Sequence, residues 1–265
     1  MRKNTTSFFH LLSLYAYSII IIIALAYFGW IGYSYYSLPV VDRFEHPMFE
    51  QLKPSGTIGH GLGIVGTILI ILGVIIYMAR KRIKFFRGLG YMKYWLEFHI
   101  FLCTLGPVLV LYHTTFKFGG IVSIAFWSMA VVWLSGFIGR YIFIQIPRTI
   151  NGRELKLKEV QELRDELHKE LLSTYNINIQ EVNTINTSQI LANLKKANTP
   201  AQDIRKIKRL IIEERSLEKK IERLATMHKL FKHWHVIHLP FSILMLIITI
   251  IHVVVQLLFG YKWIF

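Results

Sequence analysis

Two pairs of histidines share one interval. His99 and His113, and again His238 and His252, stand fourteen residues apart within apolar runs. On an α-helix that interval rises roughly 21 Å and closes almost four turns, so the imidazoles of a pair lie on nearly one face at opposite depths of a membrane. A polar ring in hydrocarbon needs compensation. Coordination by the neutral imidazole supplies it, and the remaining ring N–H can bond to protein oxygen. Two registered pairs therefore suit a flat metal-centred group at each of two heights, gripped between two helices. Gly106 lies seven residues from each histidine of the first pair, where a bulky side chain would crowd whatever lies between two stacked groups, and Pro107 follows it.

The remaining histidines and cations are less specific. His46 is also fourteen residues before His60, but Pro47 and Pro54 interrupt the stretch, and spacing without a continuous helix carries little meaning. His60 sits in the run Gly59-His60-Gly61-Leu62-Gly63-Ile64-Val65-Gly66, whose small residues permit close approach of another helix or of a flat cofactor. It stands as a quinone-site group, an alternative ligand or an interface histidine. Arg140 and Arg148 suit snorkelling to headgroups as well as they suit pairing with a cofactor carboxylate. His228, His233 and His235 fit interface positions, and their spacing with His238 lacks the histidine segments of a di-metal hydroxylase. Cys103 is the single cysteine, so neither a disulfide framework nor covalent haem attachment through Cys-x-x-Cys-His is available.

These residues need elements to hold them at depth. Hydrophobic residues make up 53% of the 265, which disfavours a soluble domain. Spans are expected at Leu11 to Tyr36, Thr57 to Ala79, Tyr94 to Thr115, Ile121 to Ile146 and Val236 to Phe259, each long enough for a hydrocarbon core of roughly 30 Å. Backbone in lipid must satisfy its own hydrogen bonds, so the spans are helices and the fold class is all-α: a polytopic membrane bundle of five transmembrane helices. The first span follows Met1-Arg2-Lys3 but runs on to Trp30 without a small-residue cleavage motif, which favours an anchor over a signal peptide.

Charge orients the bundle. Arg80, Lys81, Arg82, Lys84, Arg87 and Lys93 lie between spans two and three without an acidic residue, on the side of Arg2, Lys3 and the region from Arg148. The positive-inside rule puts the N-terminus in the cytoplasm and Phe265 outside. The formal charge of +15 follows from topology and contact with anionic lipid; nucleic acid is not an expected partner. In this topology spans three and five run the same way, which pairs His99 with His238 on the cytoplasmic side and His113 with His252 on the outer side. Glu97 falls near the cytoplasmic headgroups, so a quinone site is arguable there, with His235 and the nearby cations, or on the outer side at His60.

Residues 1–150 thus carry four spans, 151–232 form a polar cytoplasmic insertion, and 233–265 hold the fifth span and an outer C-terminus. In the insertion, Val160, Leu163, Leu167 and Leu171 make one apolar stripe and Leu217, Ile221, Leu224 and Phe231 another, the pattern of a helical hairpin. A short helix is expected around Ser188 to Lys196. Thr199, Pro200 and Gln202 read as cap, first turn and N3 of the next helix. No nucleotide loop or iron-sulfur cysteine set is present in the sequence.

Taken together, His99, Gly106, His113, His238 and His252 among aromatic and glycine-rich spans resemble the di-haem transmembrane cytochromes b, which include quinol-linked and ferric-reductase-like membrane subunits. The resemblance covers mainly spans two to five. It implies two haem b groups with axial pairs His99-His238 and His113-His252, and Arg140 as a propionate partner. It implies an oxidoreductase subunit relaying electrons between a quinol/quinone pool and a partner such as a cytochrome c, iron-sulfur protein or flavoprotein, in the cytoplasmic (inner) membrane of a bacterium or archaeon. Two alternatives remain open: a ferric- or disulfide-directed reductase subunit fed by a cytoplasmic flavoprotein, and a membrane scaffold or a metal or proton transporter without haem.

Overall fold

The computed structural model describes residues 2–146, 157–175, 177, 187–196 and 199–259, with the side chains of 2–7 and 87 excepted. Arg148 and Lys262 fall outside these residues, as do the first residues of the insertion. Every regular element among the described residues is helical. The long ones are α1 (Arg2–Ile31), α4 (Thr57–Arg82), α5 (Met92–His113), α6 (Gly120–Gln145), α7 (Leu157–Tyr175) and α9 (Ala201–Phe259). The short ones are α2 (Tyr33–Tyr36), α3 (Phe49–Leu52) and α8 (Thr187–Lys196), with single 3₁₀ turns at Asp42–Glu45 and Lys84–Gly88. Five stretches are long and apolar enough to cross a membrane: Phe8–Ile31, Phe49–Arg82, Met92–His113, Gly120–Gln145 and Ala201–Phe259. Their outward faces are apolar, as lipid requires, with Ile19, Ile22 and Ile23 on α1 and Ile247, Ile250 and Ile251 on α9 all exposed.

The chain forms two compact units, Met1–Phe137 with Val236–Phe265, and Ile138–His235. In the first unit, α4 and α5 are antiparallel and in intimate contact. A Cβ on Gly66 would fall 2.8 Å from the Gly106 carbonyl oxygen, and one on Gly73 would fall 3.0 Å from Cys103 Sγ. The small residues of the second span therefore serve close helix packing. Gly106 serves the same contact from the other side, since a Cβ there would meet Ile70 Cγ1 at 2.6 Å. Its bareness lets α4 approach, a different use from clearing space between stacked groups. Helix α1 joins this pair through the Tyr112 hydroxyl, which donates to the Leu25 carbonyl at 2.7 Å, and through Tyr17 stacked on Phe101 at 4.5 Å. Helix α6 is tied to α5 by Trp133 Nε1, which donates to Thr104 Oγ1 at 3.2 Å.

Both ends of α5 are clasped by arginines. At its start, buried Arg80 donates to the Leu89 and Gly90 carbonyls, and Trp95 Nε1 donates to the same Leu89 oxygen at 2.7 Å. At its end, buried Arg43 donates to the carbonyls of Leu38, Tyr36 and Thr115. Thr115 and Phe116 turn the chain with φ of +50° and +59°, a region that non-glycine residues seldom occupy.

In the second unit, Val160 on α7 and Leu217 and Leu224 on α9 are buried together with Ile146, and Ile190 of α8 joins Ile177, Ile207 and Ile211. The hairpin with a short extra helix is therefore present. Leu163 departs from its expected stripe and is exposed. The neighbouring Arg164 turns inward instead, because its guanidinium reaches fully buried Glu214 at 3.0 Å and Glu218 at 3.1 Å. Helix α9 starts one residue later than its cap signal indicates: its first bond runs from Ile204 N–H to the Pro200 carbonyl. It then continues without a break from the insertion into the fifth span, so no element boundary falls near residue 232. Its 59 residues amount to about 90 Å of helix, of which only the apolar C-terminal part suits a hydrocarbon core.

Candidate functional site

The four paired histidines all belong to the first unit, and three of them have a hydrogen-bond partner at Nδ1. His113 Nδ1 lies 2.9 Å from the Gly59 carbonyl oxygen and His99 Nδ1 lies 3.0 Å from that of Gly73. A carbonyl only accepts, so both rings carry their proton on Nδ1 and present the Nε2 lone pair. His238 Nδ1 lies 2.7 Å from Ser135 Oγ, and Ser135 spends its own proton on the Val132 carbonyl at 2.8 Å. An orienting bond on one nitrogen with a lone pair on the other is the arrangement found behind metal-bound histidines.

Helices α4 and α6 thus carry the hydrogen-bond partners of these histidines on α5 and α9. The Gly59 and Gly73 carbonyls are reachable because α4 approaches α5 closely. At Gly63 the helix meets the ring itself, since a Cβ there would fall 2.7 Å from His113 Nδ1. Tyr77 stacks on His99 at 5.0 Å and holds the other end of the register.

His113 and His252 are brought together. The ring centres of His113 and His252 are 6.5 Å apart. A first-row metal binds an imidazole nitrogen at about 2.0–2.1 Å, with the ring centre about 1.1 Å behind it, so two trans imidazoles place their centres about 6.3 Å apart. The His113 and His252 ring centres have that spacing, so on spacing alone the two rings suit one metal ion between them. His60 stands at the same 6.5 Å from His113. Among the described residues no group of three or more His, Cys, Asp or Glu is arranged to hold a metal ion. For the other pair the structure gives the two orienting bonds, from α4 to His99 and from α6 to His238.

Arg140 is half-buried in the second unit, beside Gly139, against which the Trp234 indole packs so closely that a Cβ would lie 2.5 Å from the ring. His233 and His235 bond through Nδ1 to the Lys229 and Phe231 carbonyls of their own helix. His46 accepts from the Met48 N–H and meets Ser34 Oγ, which makes it a loop brace. The residues that sequence reasoning passed over are Ser135 and Gly73. Ser135 is one of three serines in its apolar span, with Ser123 and Ser128, so its hydroxyl did not stand out; a backbone carbonyl leaves no signal. Compared with family models, curated proteins and solved structures, the chain finds no match.

Proposed function

We propose that this chain is a di-haem b-type cytochrome subunit of a membrane oxidoreductase, relaying electrons between a quinol/quinone pool and a partner redox protein. The reading rests on the 6.5 Å between the His113 and His252 ring centres, together with the Nδ1 bond that leaves His113 Nε2 free. In this reading His113 and His252 hold one haem and His99 and His238 the other. Iron held by two imidazoles has no open coordination position, so it supplies one-electron transfer rather than oxygen activation.

The protein's own residues do the rest. The Gly73 and Gly59 carbonyls fix the tautomers of His99 and His113, and the Ser135 hydroxyl holds His238 at Nδ1. Buried Leu102 and Leu109 on α5 keep water away, which strengthens the electrostatic interactions within. His60, at the same distance from His113, is a second candidate for the outer axial position.

Haem stoichiometry in the purified protein tests the assignment. Wild type is expected to hold two b-type haems per chain. Each of His99→Ala, His113→Ala, His238→Ala and His252→Ala is expected to retain one, and His60→Ala two. Two haems retained in all four variants would end the reading, and loss in His60→Ala with retention in His252→Ala would move the outer ligand to His60.

A further inference from the structure

At the end of the first unit that carries the basic Arg80 to Arg87 segment, α1 and α5 border an open cleft of about 360 Å³ lined by Phe9, His10, Ser13, Tyr17, Tyr94 and Glu97. That volume falls within the range of about 300–1,000 Å³ typical of small-molecule sites. Its walls are aromatic. Tyr17 is stacked on Phe101, and Tyr94 lies 4.9 Å from the His10 ring, so the rings are held by neighbours. Its floor is polar: Glu97 is only 6% exposed, its Oε2 lies 3.4 Å from His10 Nδ1, and its Oε1 lies 3.8 Å from Lys93 Nζ. Ser13 places a hydroxyl oxygen on the same wall while donating its proton to the His10 carbonyl at 2.8 Å.

We propose that this cleft binds the ring of a hydroquinone, whose hydroxyl donates to the Glu97 carboxylate while the aromatic walls sandwich the ring. A buried carboxylate selects for a ligand that brings hydrogen-bond donors and selects against a phosphate headgroup, whose charge it repels. A flat ring suits stacked aromatic walls better than an acyl chain does. Phe8, Leu11, Leu12 and Tyr15 are exposed on the same stretch of α1, an apolar approach for a ligand arriving from lipid. The proposal rests on the electron-relay reading for its purpose. Glu97 and His99 are two residues apart on α5 and so face opposite sides of it, which puts this cleft roughly one helix diameter, about 10 Å, from the His99 ligand position.

Calorimetric titration of the detergent-purified full chain with menadiol tests the site, with the dimethyl ether of menadiol as a ligand that keeps the ring and loses the donors. Wild type is expected to bind one menadiol and not the ether. Ser13→Leu, which fills the cleft, is expected to abolish binding. Glu97→Gln, which keeps the shape, is expected to weaken it about 10-fold, the worth of one hydrogen bond to a charged acceptor. Haem content, measured on the same samples, is expected to stay at the wild-type level. Equal affinity in wild type and Glu97→Gln, or equal binding of the ether, would overturn the site. So would a wild-type protein that ignores menadiol but retains a phospholipid sensitive to Ser13→Leu. Menadiol binding by a wild type without haem would keep the cleft assignment and sink the electron-relay reading instead.

Discussion

Gly63 faces the His113 ring across the α4 to α5 contact, and one added methyl group there should separate ligand geometry from general stability. An alanine Cβ would lie 2.7 Å from Nδ1 and 2.9 Å from Cε1, so the ring must move and its bond to Gly59 must lengthen. Gly63→Ala is expected to weaken retention of one haem 10–100-fold, the usual cost of losing an orienting bond, and to spare the other. Gly88→Ala, with no atom within 4 Å of the new Cβ, is the matched control and should retain both. Ser135→Ala should act on the opposite pair by the same factor, through His238. Equal haem content in Gly63→Ala and Gly88→Ala would show that the His113 orientation is immaterial. At this scale the histidines were legible because fourteen residues is a helical interval. Their proton positions were not, because Gly59 and Gly73 act through carbonyls that every residue type shares.

The elements show where periodicity succeeds and where it yields. The stripe Val160, Leu167 and Leu171 reads correctly on α7, and Leu163 does not, because Arg164 takes the inward place to meet Glu214. A hydrophobicity count cannot see a buried ion pair forming with a residue fifty positions away. His168 Nε2 also lies 3.0 Å from the same Glu214 oxygen. Removing one partner of a buried pair strands the other charge, so Arg164→Ala should cost the second unit about 3 kcal/mol and Leu163→Ala far less. Amide hydrogen exchange along α7 measures this, and equal exchange in the two variants would contradict it. At the far end of α5, Arg43 reaches three carbonyls with a planar fork that lysine cannot reproduce. Arg43→Lys should expose the loop between α2 and α4 to limited proteolysis; a wild-type digestion pattern would remove Arg43 from its role as the clasp.

For the whole molecule, the number of spans among the described residues followed from composition alone, because lipid leaves helices as the only way to bury these backbones. The continuity of α9 did not, since His233, Trp234 and His235 look like a junction in sequence, yet the helix passes through them unbroken. Orientation rests on the basic loop after α4. In a Cys103→Ser background, an impermeant maleimide applied to intact cells should label Ser37→Cys and leave Lys84→Cys untouched. The reverse pattern would invert the bundle and exchange the two haem levels. The central claim is that paired imidazoles grip iron from both sides, and electron paramagnetic resonance of the oxidised protein tests it most directly. The account predicts two low-spin ferric signals in wild type, with one of them lost or converted to high spin in His252→Ala; high-spin iron in wild type, or no haem signal at all, would contradict it.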